Sequence, residues 1–402
     1  MPKRIGYLYE KLCDRKLIRA AIITGSRGKR KRRDVIRVLK DVDGYAEKMY
    51  VIVAERRFMP TPPKPKRIID PSSGKARIIS IVPFFPDGIM HQMLVTVMKE
   101  VLMRGMYPFS CASIPSRGGK YASDYVKRAL RHPRKTKYCL KLDIKKYYPS
   151  ISISRLMDDL RRKIKDERFL AVVESVISQS ADGGLAIGYY SNQWLANFYL
   201  ESLDHYITSL PGVEYYVRYM DDMVLLGPNK RKLHRARKEI EKFAWNRLRL
   251  RIKENWQVFP VDARGIDFVG YRFYHTHVIL RRRNFLKFTR QCRRIRKTNA
   301  NEKPVRFCEA AGFISRFGEL KHCDSCIIRQ KYADDIKIKD LKEVIREMGK
   351  ACIPTVLYGD GEFMKGDVGC WDGEIYESTT NENIWPPDDI PGGWVRAEVI
   401  ET

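Results

Sequence analysis

Tyr215-Tyr216-Val217-Arg218-Tyr219-Met220-Asp221-Asp222-Met223-Val224-Leu225-Leu226 is the stretch whose reading decides the fold. Tyr215 to Tyr219 and Met223 to Leu226 are rich in aromatic, aliphatic and β-branched residues, and two aspartates stand between them, so the segment reads as a β-hairpin with Asp221-Asp222 at its turn. Adjacent carboxylates in a tight turn repel unless a cation lies between them. Asp-Asp pairs are ordinary in solvated turns, and Asp158-Asp159 and Asp388-Asp389 read as such cases. Asp221-Asp222 differs in having an apolar strand on each side and a third carboxylate to join it.

That third carboxylate is Asp143. It closes a strand from Tyr138 to Ile144 in which Tyr138, Leu140 and Leu142 alternate with Cys139, Lys141 and Asp143, so Asp143 faces away from the leucines. Three aspartates on neighbouring strand ends make a hard oxygen site suited to Mg²⁺ or Mn²⁺. Two such ions about 3.5–4 Å apart activate an attacking hydroxyl and stabilise a leaving pyrophosphate, the chemistry polymerases use.

Downstream of the hairpin, a helix starting near Asn229 carries Leu233, Ala236, Ile240, Phe243 and Ala244 on one face, and further strand is expected around Trp256 to Phe259 and Phe268 to Leu280. From Phe285 the period is helical again. Phe285, Phe288, Cys292 and Ile295 form a core face, and Lys287, Arg290, Arg294 and Lys297 form a basic stripe able to track phosphates. Upstream of the hairpin, Ala196, Leu200, Leu203 and Ile207 are the packing stripe of a helix from about Asn192 to Pro211-Gly212, and residues 153 to 178 are expected to be helical. Ile68-Ile69 and Ile78-Ile79 flank Asp70-Pro71-Ser72-Ser73-Gly74, a strand, a turn and a strand. Lys75 and Arg77, two apart, then project from one face of that second hairpin, where two cations could hold a triphosphate.

The formal net charge of +29 opposes compaction unless a polyanion lies against the surface, and nucleic acid is the expected one. No apolar run approaches the roughly 20 residues that span a bilayer, and a short apolar secretory segment is missing at the start, so a cytoplasmic protein with no membrane partner is expected. Nine cysteines, an odd number scattered through a long chain, argue for reduced thiols. His322, Cys323 and Cys326 form one lone cluster with Cys308 or Cys292 as the nearest possible fourth ligand, whereas zinc usually takes two such knuckles.

Leu142-Asp143-Ile144-Lys145-Lys146-Tyr147-Tyr148-Pro149-Ser150-Ile151 resembles motif A of reverse transcriptases, and Arg218-Tyr219-Met220-Asp221-Asp222 resembles their motif C. Ile187-Gly188-Tyr189-Tyr190-Ser191-Asn192-Gln193 stands between them, where motif B belongs. The resemblance covers roughly residues 60 to 335. It implies an α+β right-hand polymerase architecture with fingers, a palm of antiparallel sheet and helices, and a helical thumb. The expected boundaries are a basic amino-terminal helical region over 1–59, fingers over 60–135, palm over 136–280 (with fingers and palm helices in 150–185), thumb over 281–338, and an acidic extension over 339–402.

The resemblance implies Asp143, Asp221 and Asp222 as catalytic metal ligands for two Mg²⁺ or Mn²⁺ ions, and Lys75 and Arg77 as holders of the incoming dNTP. Ile144 falls within the substrate-binding motif, and Tyr148 matches the bulky gate against a ribose 2′-hydroxyl. Lys253, in Leu250-Arg251-Ile252-Lys253, is similar to the motif D lysine that protonates pyrophosphate. Phe268-Val269-Gly270-Tyr271-Arg272 resembles the primer grip, so Gly270 and Tyr271, with the basic stripe, are expected to hold template RNA and the primer or cDNA strand.

Ile187, Gly188 and Gln193 narrow the subfamily. Most reverse transcriptases open motif B with Gln-Gly and close it with Ser-Pro, whereas those of diversity-generating retroelements have Ile, Val or Leu before the glycine and close with Ser-Gln. Asn192 departs from that serine. Ala196-Asn197-Phe198-Tyr199-Leu200, Trp256-Gln257-Val258 and Gly265-Ile266-Asp267-Phe268 also agree with the subfamily. An isoleucine at 187 offers the nascent pair shape without a hydrogen bond, so copying is expected to be error-prone. Such elements, bacterial or phage-encoded, also use a small basic accessory protein. Alternatives are an antiphage defence reverse transcriptase and an RNA-binding protein on a silent polymerase scaffold.

Overall fold

The computed structural model describes residues 4–350 except 31, 70–75, 181–182 and 302, together with three strands nearer the carboxyl terminus. Lys75 therefore lies outside the described residues, as does most of the acidic extension. The chain divides into two units, one of Met1–Val269 and Phe273–His275, the other of Gly270–Arg272 and Thr276–Thr402.

The first unit opens with α1 (Leu8–Leu12), α2 (Arg15–Ser26), α3 (Arg33–Leu39) and α4 (Val42–Ala54), then the hairpin β1 (Lys64–Ile69) and β2 (Ala76–Ile81). Helices α5 (Ile89–Met103) and α6 (Gly119–Leu130) follow, then β3 (Tyr138–Asp143), the single turn α7 (Tyr147–Ser150), α8 (Ile153–Lys163) and α9 (Glu167–Ile177). Asp166 shows how the early helices are fastened. Its carboxylate caps α9 by accepting from Phe169 N, and it also accepts from Leu8 N and Tyr9 N at 2.8 Å, closing two helix starts with one side chain.

α10 (Tyr190–Tyr199) and α11 (Glu201–Ser209) lead into β4 (Tyr215–Tyr219) and β5 (Asp222–Gly227). The single helix expected from Asn192 is thus two, with Leu200 ending one and opening the next; Ala196, Leu200, Leu203 and Ile207 are all buried. After the hairpin come α12 (Lys230–Leu248), β6 (Gln257–Pro260), α13 (Val261–Arg264) and β7 (Ile266–Phe268). Asn229 caps α12 by accepting from Lys232 N, and Leu233, Ala236, Ile240 and Ala244 are buried as their spacing predicts.

Four strands form one antiparallel sheet in the order β4-β5-β3-β6, with β3 and β5 at its centre. Leu140, Leu142, Met223 and Leu225 belong to a continuous core shared with the amino-terminal helices and α5, α8 and α10. Burying such side chains stabilises by about 1.5–3 kcal/mol each, and the non-local strand pairings ride on that packing.

The second unit contains β9 (Val278–Leu280), α14 (Arg282–Ala300), α15 (Phe307–Glu319), α16 (Cys326–Ala333) and α17 (Ile338–Lys350), with β8 (Tyr271–Phe273) at the junction. The strand expected around Phe268 to Leu280 comes as three short pieces, β7, β8 and β9. Val269 at φ 40° and Gly270 at φ 92° turn the chain sharply between the first two. Phe288, Cys292 and Ile295 of α14 are buried, with the Phe288 and Phe313 rings 5.8 Å apart, while Arg290, Arg294 and Lys297 are exposed and Lys287 is half-buried. The expected core and basic faces of this helix are therefore both present. Beyond lie β10 (Val368–Trp371), β11 (Glu374–Ser378) and β12 (Trp394–Arg396), paired antiparallel in that order.

The cysteines at 13, 111, 139, 292, 308, 323 and 326 are free thiols. Cys323 is half-buried and Cys326 opens α16 exposed. Among the described residues no helix is long and apolar enough to cross a membrane.

Candidate active site

Strand register assembles the acids. Pairing of β3 with β5 sets Asp143 directly opposite Asp222, and pairing of β4 with β5 sets Tyr219 opposite the same Asp222. Asp222 is therefore the first residue of a strand, and the turn proper is Met220-Asp221. Met220 adopts φ 56°, the left-handed region that a methionine seldom occupies unless its surroundings demand it.

Lysines meet two of the carboxylates. Lys253 N donates to Asp143 O at 2.7 Å and its ammonium donates to Asp143 Oδ2 at 2.6 Å. The neighbouring bridge between Ile144 and Ile252 sets this segment alongside Asp143. Lys141 Nζ donates to Asp222 Oδ2 at 3.1 Å and to the carbonyl of Asp267. Asp221 has a different environment: burial, then the Asp143 carboxylate beside it, push its carboxyl up to about 7, against the pull of Lys253.

A divalent metal is implied by this constellation, and the donor chemistry fits one. The three side chains offer only carboxylate oxygens, Asp143 Oδ1 is buried with no hydrogen-bond partner, and two ammonium groups already balance charge there. As they stand, no three His, Cys, Asp or Glu side chains among the described residues are drawn together closely enough to enclose an ion. Asp143 and Asp222 each give an oxygen to a lysine instead. His322, Cys323 and Cys326 are likewise not drawn together around a common point.

Tyr148 lies at the edge of this group, its hydroxyl donating to Met220 Sδ at 3.7 Å. The loop containing Gly184 holds it in place: Leu185 N donates to Tyr148 O at 2.9 Å, and a Cβ on Gly184 would come within 2.5 Å of the same carbonyl oxygen. The Ile187-Gly188 loop abuts the β1–β2 hairpin in a similar way. Ser80 N of β2 donates to Ile187 O at 2.7 Å, and Gly188, at φ 116°, leaves no room for a Cβ, which would stand 2.6 Å from Ser80 O. Arg77 is exposed on β2 opposite Ile68. Ile187 and Gln193 are half-buried and Gly188 is exposed.

One expectation is corrected. Ile144 is fully buried in the core, so its side chain packs under the sheet and presents nothing to a substrate. Gly270 and Tyr271 belong to the second unit, where Gly270 O accepts from Arg281 N and the Tyr271 hydroxyl donates to Glu319 O at 3.0 Å.

Two residues at the site were not singled out by the sequence reading. Lys141 precedes Asp143 by two and so shares its side of β3, a signal the period-2 rule contains. In sequence, Asn192 is a departure from the Ser-Gln pattern. It is fully buried, and its amide donates to Ala186 O at 3.0 Å, tying the two ends of the Ile187-Gly188 loop together. Serine, with a shorter side chain, has less reach for that bond.

Residues 63–273, more than half of the chain, match the family model described as "Reverse transcriptase (RNA-dependent DNA polymerase)". The chain belongs to that family, and its mixture of helix and sheet is that of the right-hand polymerase fold. Protein YkfC of Escherichia coli (strain K12) is 24% identical over 259 residues, covering 54% of this chain and 67% of that protein. Among solved structures, apo telomerase from Candida Tropicalis is similar at a TM-score of 0.46 and 12% identity, over 73% of this chain and 58% of that one. Telomerase from Candida albicans in complex with a fragment of telomeric RNA is similar at a TM-score of 0.41 and 14% identity, over 77% and 65%. The chain thus spans less than two thirds of the length of either telomerase chain.

Proposed function

We propose that this protein synthesises cDNA on an RNA template by nucleotidyl transfer, with Asp143, Asp221 and Asp222 as the ligands of two Mg²⁺ ions, for which Mn²⁺ can substitute. The observation that carries the reading is the register that sets Asp143 opposite Asp222 and next to Asp221. When bound, the ions lower the pKa of the attacking hydroxyl and neutralise charge on the phosphates.

The chain's own residues supply the rest. The primer 3′-hydroxyl gives up its proton to solvent and its oxygen forms the new P–O bond at the α-phosphorus as the α–β bridging P–O bond breaks, and pyrophosphate leaves. Lys253, held on Asp143, is placed to return a proton to that leaving group. Arg77 and Lys75 hold the triphosphate, Tyr148 excludes a 2′-hydroxyl, and Gly270, Tyr271 and the exposed Arg290, Arg294 and Lys297 grip the duplex. In this reading residues 60–135 are fingers, 136–280 palm and 281–338 thumb.

The finer reading is error-prone copying in a diversity-generating retroelement, supported by Ile187 and Gln193, with a small basic accessory protein as partner. The test is primer extension on poly-rA with Mg²⁺, Mn²⁺ or chelator, with Asp221→Asn as control. Activity is expected only with metal and only in the unsubstituted protein, and equal extension by both proteins overturns the assignment.

A further inference from the structure

Arg218 is the one arginine of the β4–β5 hairpin, and it is fully buried in a strand that is otherwise aromatic and aliphatic. A guanidinium held away from water must satisfy its donors inside the protein. Arg218 does so completely. Its Nε and Nη2 fork onto Asp204 of α11 at 2.8 and 2.6 Å, both side chains fully buried. Nη2 also donates to Ser110 Oγ at 2.9 Å, and Nη1 to Asn197 Oδ1 of α10 at 3.1 Å. The remaining contact of Nη1, at 2.9 Å, is the main-chain carbonyl of Met220.

That last bond connects the network to the candidate active site. Met220 is the left-handed residue of the turn, and its carbonyl carbon is bonded to the amide of Asp221. Fixing the carbonyl fixes the peptide plane, and with it the direction in which Asp221 leaves the turn. The other side of Arg218 is equally constrained: its N donates to Phe109 O at 3.0 Å, and Cys111 N donates to its O at 2.9 Å. Asp204 is itself aligned by the Tyr216 hydroxyl at 2.6 Å. The guanidinium is planar and its donors form a rigid fork, so a two-point grip on Asp204 sets where the third point reaches. Lysine, with one ammonium, reproduces the charge without that geometry.

We propose that Arg218 is a positioning residue for the metal-binding turn, with Asp204 as its anchor: the buried pair holds the Met220 carbonyl, and through it the Asp221 carboxylate, in the arrangement that nucleotidyl transfer needs. The inference rests on the polymerase reading above. A packing role alone requires only that the buried charges be matched, and a buried pair replaced by apolar side chains of similar size often leaves stability unharmed. The two roles therefore separate.

The test uses the full chain in two forms. Arg218→Lys keeps a cation beside Asp204 but loses the fork; Arg218→Met with Asp204→Leu and Tyr216→Phe removes the whole charged cluster while filling its space. For each, kcat, KM for dNTP and Kd for primer–template are measured on an RNA template, together with amide hydrogen exchange of the Tyr219–Asp222 peptide. Both variants are expected to fold and to bind primer–template and dNTP within about threefold of wild type, while kcat falls about 10²-fold, the cost of displacing a reacting group by roughly 1 Å, and exchange of that peptide rises. A folded variant with kcat within threefold of wild type and unchanged exchange overturns the proposal. So does unfolding of both variants, or a parallel loss of kcat and binding with no local change in exchange, since either marks Arg218 as packing only. If wild type itself extends no primer on RNA, the polymerase reading falls instead, and the exchange measurement still decides whether Arg218 holds the turn.

Discussion

The hydroxyl of Tyr148 donates to the sulfur of Met220, linking the turn after β3 to the turn between β4 and β5 at 3.7 Å. That contact and the Leu185 bond to its carbonyl hold Tyr148 beside the Met220-Asp221 turn, and in the proposed reading its ring is the wall that a ribose 2′-hydroxyl meets. Tyr148→Val shortens that wall. The preference for dNTP over rNTP, measured as a ratio of kcat/KM values, is expected to fall by roughly ten- to hundredfold, the range that steric contacts in a pocket command. An unchanged ratio removes Tyr148 from the gate.

Ile187 presents an aliphatic side chain where a glutamine could hydrogen-bond. Ile187→Gln is expected to lower misincorporation about tenfold, the equivalent of one hydrogen bond. Sequencing cDNA copied from a defined RNA checks it; equal error spectra for the two proteins would sink the idea.

Gly188 lets the Ile187-Gly188 loop meet β2 without a side chain between them. Gly188→Ala must find space for a Cβ 2.6 Å from Ser80 O while holding φ 116°. A cost of about 1–3 kcal/mol is expected from the strained backbone, visible as a lower Tm, with a raised KM for dNTP as β2 is pushed away. A variant with wild-type Tm and KM contradicts the close packing.

His91 is buried in α5 with Nδ1 2.8 Å from Ser191 Oγ and its ring 4.5 Å from that of Tyr189. Burial, then the charge of Lys29, push its pKa down to about 4. The unfolded chain takes up a proton near pH 6.5 and the folded one does not, so stability is present above pH 6.5 and is lost as pH falls toward 4. The loss amounts to roughly 3 kcal/mol. Denaturant melts at pH 7 and 4.5 should show a smaller drop for His91→Phe than for wild type, and equal drops would place the acid sensitivity elsewhere.

What the sequence alone determined is what short-range physics encodes. The Asn229 cap and apolar face of α12, the two-sided α14 and the β4–β5 hairpin follow from side chains a few residues apart, and each is present. The three acids were legible too, because carboxylates at strand ends and beside a tight turn are costly without a purpose. Local pattern did not place Lys253 on Asp143, Lys141 on Asp222 or Asn192 across its loop, since these bonds depend on strand register and helix packing between distant segments. Ile144 follows the same rule: a motif specifies a position, whereas the burial of its side chain depends on what packs beneath it. Arg218 is the extreme case, a charge in an apolar strand whose partners at 110, 197 and 204 meet only in the folded chain, where excluding water makes every one of its hydrogen bonds obligatory.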